Sequence, residues 1–277
     1  MVHATLADNV SFTTSALPSL NTLVDNTFRR GRICENEYRR VVAAGPVGDG
    51  ADWRANGAAL RSALAPIVAS ADEPCLLRLA PGVYDLGEAP LHMKAYLDIE
   101  GAGEQLTRLT SEVCARNSGT IVGANHTALR HLTVANTGGS EFAVAIFNDG
   151  VAPQLNGVMV EVSGGLANYG VYNCNAAAPA MTDMRVIASG RRSNIAVYNN
   201  GASPVMTHVS AMAAGGHFSY GMYNCDGAAP VMMHVEATAA GGDRNVGVYN
   251  DQDTRPAMAG VTARALGGIE NIDVYSD

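Results

Sequence analysis

Lysine is all but missing from this chain: Lys94 is the only one, so nearly all the positive charge is arginine. Charged residues make up only 16% of the sequence and aromatics 6%. With a formal net charge of −8, a general nucleic-acid-binding role is excluded as the main one, because neutralising phosphates needs a basic surface. No run of about 18 apolar residues occurs, so no transmembrane helix is expected and no membrane partner is implied. Five cysteines, Cys34, Cys75, Cys114, Cys174 and Cys225, form no CxxC pair. Their odd number and irregular spacing argue against a disulfide framework or a zinc site. The amino terminus lacks the basic start and apolar stretch of a secretory signal. As given, the chain reads as soluble and cytoplasmic, with an extracellular location open if a leader was removed. No cofactor and no metal is implied.

What is abundant is glycine, with 30 residues, and a hydrophobic fraction of 47% built on Ala, Val, Ile and Met. These residues are arranged in a repeat that begins near residue 130. An aromatic followed by a polar residue recurs at Phe147-Asn148, Tyr172-Asn173, Tyr198-Asn199, Tyr223-Asn224, Tyr249-Asn250 and Tyr275-Ser276, at steps of 25 or 26. Pro153, Pro179, Pro204, Pro230 and Pro256 keep the same step, each followed two places on by Leu or Met. Glycines at 138, 164, 190, 215, 241 and 267 mark another turn. Inside each unit the apolar period is two: Val209, Ala211 and Ala213 alternate with His208, Ser210 and Met212. A half-buried strand alternates in this way, whereas a helical repeat needs apolar residues three and four apart. Gly, mostly as Gly-Gly, and Pro in the units would also break helices. The reading is an all-β solenoid, a right-handed parallel β-helix, in which residues one repeat apart become vertical neighbours about 4.8 Å apart.

The inward face follows from chemistry. The Val209, Val235, Val261 column belongs in the core. Stacked Asn side chains can bond to one another along a solenoid interior, so the Asn ladder is placed inward with Val171, Val197, Met222 and Val248. That turns the tyrosines outward, beside Gly170, Ala196, Gly221 and Gly247. Upstream, Asn56 to Ser70 places Leu60, Leu64, Ile67 and Val68 on one helical face, interrupted at Pro66. A helix there would cap the open solenoid end. The expected organisation is an extension over 1–48, locally basic through Arg29, Arg30, Arg32, Arg39 and Arg40, followed by the β-helix with its capping helix over 49–277. The final coil lacks a cap, which raises a homo-oligomer through the carboxy-terminal coil, or a tail-fibre-like structural component.

Leu79-Ala80-Pro81-Gly82-Val83-Tyr84 and Leu97-Asp98-Ile99-Glu100-Gly101-Ala102-Gly103 resemble the first coils of the pectin-lyase-like superfamily. The later Gly-Val-Tyr-Asn and Pro-x-Met units resemble uncharacterised bacterial β-helix repeat proteins. The resemblance covers roughly 50–277 and implies the right-handed parallel β-helix. Its members include pectate lyases, pectin methylesterases, polygalacturonases, alginate epimerases and phage tailspikes. Their signatures are not carried here: the chain has no Asp-Asp pair, no Gly-His-Gly and no Arg-x-Lys. The scaffold is implied and the reaction is not.

Two surfaces are candidates for function. The outward position opening the Val-Ala strand reads His131, Gly157, Asp183, His208, His234 and Gly260 in successive coils. Two places on, the column reads Thr133, Met159, Arg185, Ser210, Glu236 and Thr262. Asp183, Arg185, His208, Ser210, His234 and Glu236 are therefore expected on one outer patch. There Asp183 would orient His208 as a general acid or base, and Arg185 would bind a carboxylate. A mixed polar column is also the ordinary way to fill an exposed face. A metal held by Asp183, His208 and His234 would need side chains to converge across two coil steps, against bonds of about 2 Å. The second surface is the strip Tyr172, Tyr198, Tyr223 and Tyr249, suited to a glycan, a small molecule or a protein partner. The leading expectation is a binding β-helix for a glycan or protein. The alternative is a carbohydrate-active lyase, hydrolase, epimerase or isomerase using the Asp/His/Arg patch.

Overall fold

The computed structural model describes residues 38–277, so Arg29, Arg30, Arg32 and Cys34 lie outside the described residues. The strands of residues 38–277 form a parallel β-helix of two sheets. Each regular coil contributes one long strand to the first sheet and one to the second. Vertical neighbours are the residues expected from the repeat: Tyr172 pairs with Tyr198, Tyr198 with Tyr223, Tyr223 with Tyr249, and Tyr249 with Tyr275.

The first sheet is bent, which gives every coil three faces. Within Ala180–Ser189 the pairing skips from Thr182↔Thr207 to Met184↔Val209. The skipped residues are Asp183 and His208, with φ of 51° and 52°. The same left-handed backbone recurs at His131, Gly157, His234 and Gly260. One residue per coil thus turns the strand through a corner, where regular φ would run it straight on.

The core is a stack of columns, with Leu129, Leu155, Met181, Met206 and Met232 all fully or almost fully buried. Val209, Val235, Ala211 and Ala237 fill the next face of the same core. The Asn ladder is inside, as expected. Asn148, Asn173, Asn199 and Asn224 are fully buried, and each side-chain amide donates to the next at 2.8–2.9 Å. A second buried amide column at the glycine corner, Asn168, Asn194 and Asn245, bonds to the turn backbone.

Gly170, Ala196, Gly221 and Gly247 do not sit outside beside the tyrosines; the structure turns this column inward. A Cβ on Gly170 would stand 2.3 Å from Val186 Cγ1, and one on Gly221 would stand 2.8 Å from the Thr238 amide nitrogen. Two successive residues, such as Gly170 and Val171, therefore face the core. The ladder skips at this step, and strict alternation fails there.

The helix spans Trp53–Leu64 and is capped by Asp52, whose side chain accepts from the Ala55 amide. It starts earlier than expected and stops short of Pro66. Leu60, Leu64 and Ile67 are buried, while Val68 is exposed and does not share their face. Gly57 lets the helix press onto Asp85, whose carbonyl oxygen would lie 1.9 Å from any Cβ there. Lys94 Nζ donates to the carbonyls of Leu64, Ala65 and Ile67 and so closes the helix end. Arg40–Ala44, inside the span read as an extension, forms an edge strand beside Cys75–Leu79.

Candidate functional site

The corner column brings Asp183, His208 and His234 together. His208 Nδ1 lies 3.3 Å from Asp183 Oδ1, with side chains 60% and 61% exposed. The rings of His208 and His234 stack at 5.4 Å. Arg185, Ser210 and Glu236 are successive partners two positions on. All six expected residues thus share one outer ridge. The two clefts described below are lined by other residues. Among the described residues, no group of three or more His, Cys, Asp or Glu is placed to hold a metal ion.

The left-handed backbone supplies a reason for these residue types that does not involve chemistry. Gly takes positive φ freely, and Asp and His are enriched there over other side chains. Where the column holds glycine, the preceding imidazole leans over it: a Cβ on Gly260 would be 2.9 Å from His234 Nδ1. A substitution test must respect this conformation. His208→Ala is expected to be less stable than His208→Gly by about 1 kcal/mol, because alanine is strained at positive φ. Paired urea titrations check this, and equal stabilities would show that the corner relaxes.

The tyrosine strip faces away from the main core, but the expected exposure fails for much of it. Phe147, Tyr169, Tyr172 and Tyr198 are only 6–9% exposed and pack into a second apolar cluster, while Tyr220, Tyr223, Tyr249 and Tyr275 are partly exposed. Because of the double inward step, Val144, Tyr169, Ile195 and Tyr220 form a second outer column beside Phe147, Tyr172, Tyr198 and Tyr223. Tyr169 and Tyr220 were missed because only one aromatic per repeat keeps the period. From Phe147 to Tyr223 successive rings meet edge to face, at 89°, 68° and 61°. From Tyr223 to Tyr275 they stack nearly parallel, with centroids 4.3 and 4.9 Å apart. Burial pushes the phenols of Tyr169, Tyr172, Tyr198, Tyr220 and Tyr223 up. All five therefore stay neutral donors at physiological pH. Arg116 stands against Tyr169, Tyr172 and Tyr198, and the Arg244 guanidinium lies 5.8 Å from the Tyr275 ring centroid.

Cys174 and Cys225 flank Asn200 in one column, two coils apart, and are free and buried. Cys225 Sγ contacts the Tyr198 hydroxyl at 3.4 Å. His217 and Asp243 form a closer pair than the corner residues, at 2.6 Å, on an exposed turn.

Two polar groupings lie outside the regular repeats. Arg130, only 6% exposed, pairs with Asp98 and bonds to the Tyr38 hydroxyl, which itself donates to Asp98 at 2.6 Å. Asp98 also accepts from the Ala128 amide. Near it, at the first coils of the corner, Arg78, Glu100, Gly101, Gly103 and His131 line a shallow cleft. A second cleft lies between the helix and the first sheet.

No family model matches the chain, and no curated protein matches it. Among solved structures it is similar to a pectin methylesterase in complex with a hexasaccharide, at 13% identity and a TM-score of 0.49, over 79% of this chain and 81% of that one. It is also similar to the pectin methylesterase PemA from Erwinia chrysanthemi, at 13% identity and a TM-score of 0.48, over 86% of this chain and 88% of that one. For the pectate lyase Pel9A the identity is 12% and the TM-score 0.43, over 81% and 77% of the two chains. These are likenesses of coil architecture, and no residue's role is carried over from them.

Proposed function

We propose that the protein is a binding β-helix whose outer second-sheet face recognises an elongated glycan bearing uronic acids. The observation that carries the reading is the partly exposed run Tyr223, Tyr249 and Tyr275, whose rings stack nearly parallel at successive coil steps. Along this run a ligand lying parallel to the solenoid axis meets one ring about every 4.8 Å. The partly exposed rings of Tyr223, Tyr249 and Tyr275 offer apolar contact with phenol hydroxyls beside it. Arg116 stands against the phenols at the amino-terminal end of the strip and supplies positive charge for a carboxylate, while Arg244 at the other end is paired with Glu270 at 3.3 Å. Binding spread over many similar contacts predicts graded losses. Removing a partly exposed ring by Tyr223→Ala or Tyr249→Ala should weaken binding of a uronate oligosaccharide by about fivefold each, near 1 kcal/mol. Calorimetric titration checks this, with circular dichroism confirming the coil. Unchanged affinity in the double variant would remove the tyrosine face from the reading, and a protein ligand would then be the partner to seek.

A second reading, acid–base catalysis on a glycan, is favoured by the Asp183–His208 contact alone. It requires His208→Gly, which keeps the corner backbone, to abolish turnover. Turnover that survives in this variant excludes it.

A further inference from the structure

We propose that the cleft between the capping helix and the first sheet is a separate saccharide site, which takes one uncharged hexose ring. Trp53 is the only tryptophan in the chain and the first residue of the helix, held there by the Asp52 cap. It buries little of itself, with 55% of its surface exposed. Its neighbours across the cleft are Val83, Asp85, Arg108, Thr110, Glu112 and Thr137. Val83 and Asp85 pair with Arg108 and Thr110 on adjacent strands, so these four residues make a flat floor under the indole wall. The cavity is about 370 Å³, at the small end of ligand clefts, which suits a single ring.

The chemistry of the lining selects the ligand. An indole held away from the core gives a flat apolar surface, and the sugar face lined with C–H groups is its natural complement. Around it stand planar carboxylates, a guanidinium and hydroxyls, each able to bond the rim hydroxyls of a pyranose. The charges are already matched. Arg54 Nε bonds Asp85 at 2.7 Å and its other nitrogen bonds Glu112 at 3.3 Å, while Arg108 bonds Glu161 at 2.6 Å. A charged ligand would have to break one of these pairs, whereas a neutral polyol adds to them. This separates the cleft from the tyrosine face, where Arg116 stands among neutral phenols and favours uronates.

Because no other tryptophan is present, emission excited where tyrosine does not absorb reports on this cleft alone. The protein is titrated with glucose, galactose, mannose and N-acetylglucosamine, each at millimolar concentrations. The expected result is a saturable emission change with at least one sugar, together with protection from acrylamide quenching. Thr110→Val and Asp85→Asn should each weaken it about tenfold, and Trp53→Ala should abolish the heat of binding in calorimetry. Uronate oligomers, the probe of the tyrosine face, should leave the emission unchanged. Emission indifferent to every neutral sugar overturns the proposal, as does a response to uronates alone or one that survives both polar variants.

Discussion

Asn199→Ala is expected to destabilise the protein by about 2–6 kcal/mol, because it orphans two buried amide groups at once. Asn199 accepts from Asn173 at 2.9 Å and donates to Asn224 at 2.8 Å, and all three side chains are fully buried. Each group left without a partner costs about 1–3 kcal/mol, and the alanine cavity adds to this. The solenoid is nearly one-dimensional, so the damage should centre on neighbouring coils. Hydrogen exchange should therefore show lost protection around Asn173 and Asn224 before the capping helix is affected. A loss below about 1 kcal/mol would mean that water replaces the missing rung.

Asp98→Ala should be of similar size, about 3–5 kcal/mol, for a different reason. It removes the carboxylate that holds Arg130, while the guanidinium stays buried. It also takes away the acceptor for the Tyr38 hydroxyl and the Ala128 amide. Removing the charge as well, in Asp98→Ala with Arg130→Leu, should recover a large part of the loss, because a buried pair is worth little against an apolar replacement. Denaturant midpoints of the three proteins decide this, and a double variant as unstable as the single would assign the cost to packing. Burial and the nearby Asp98 push the Tyr38 phenol up to about 12. A group raised on folding contributes stability that is complete below its unfolded value near 10. That contribution fades as pH climbs toward 12, and Tyr38→Phe should flatten the alkaline limb.

These two sites also show what could be read in advance. The Asn ladder was legible because parallel, in-register stacking makes the same demand in every coil, so Asn148, Asn173, Asn199, Asn224 and Asn250 recur. The Arg130–Asp98–Tyr38 network occurs once, between residues far apart in the chain, and leaves no period. Trp53, which lines the proposed cleft site, leaves no period either, although its single occurrence in a repetitive chain is a signal in itself. Gly170 was misplaced because alternation assumes an unbroken strand, and the double inward step violates it. The corner residues stand on one ridge, as the repeat register places them. Their identities were read as chemistry when left-handed backbone at Asp183, His208 and His234 accounts for the residue types just as well.

The amides of the central column all donate the same way, toward the carboxy-terminal coils, so their bond dipoles add up. At one extremity Asn148 Oδ1 is left unanswered in the interior, and at the other Asn250 ends on the Ser276 hydroxyl. Turning a single member over would set donor against donor on one side and acceptor against acceptor on the other. The column can therefore reverse only as a whole. A vector is built into the axis of the solenoid, and its direction is a collective property that no single asparagine owns.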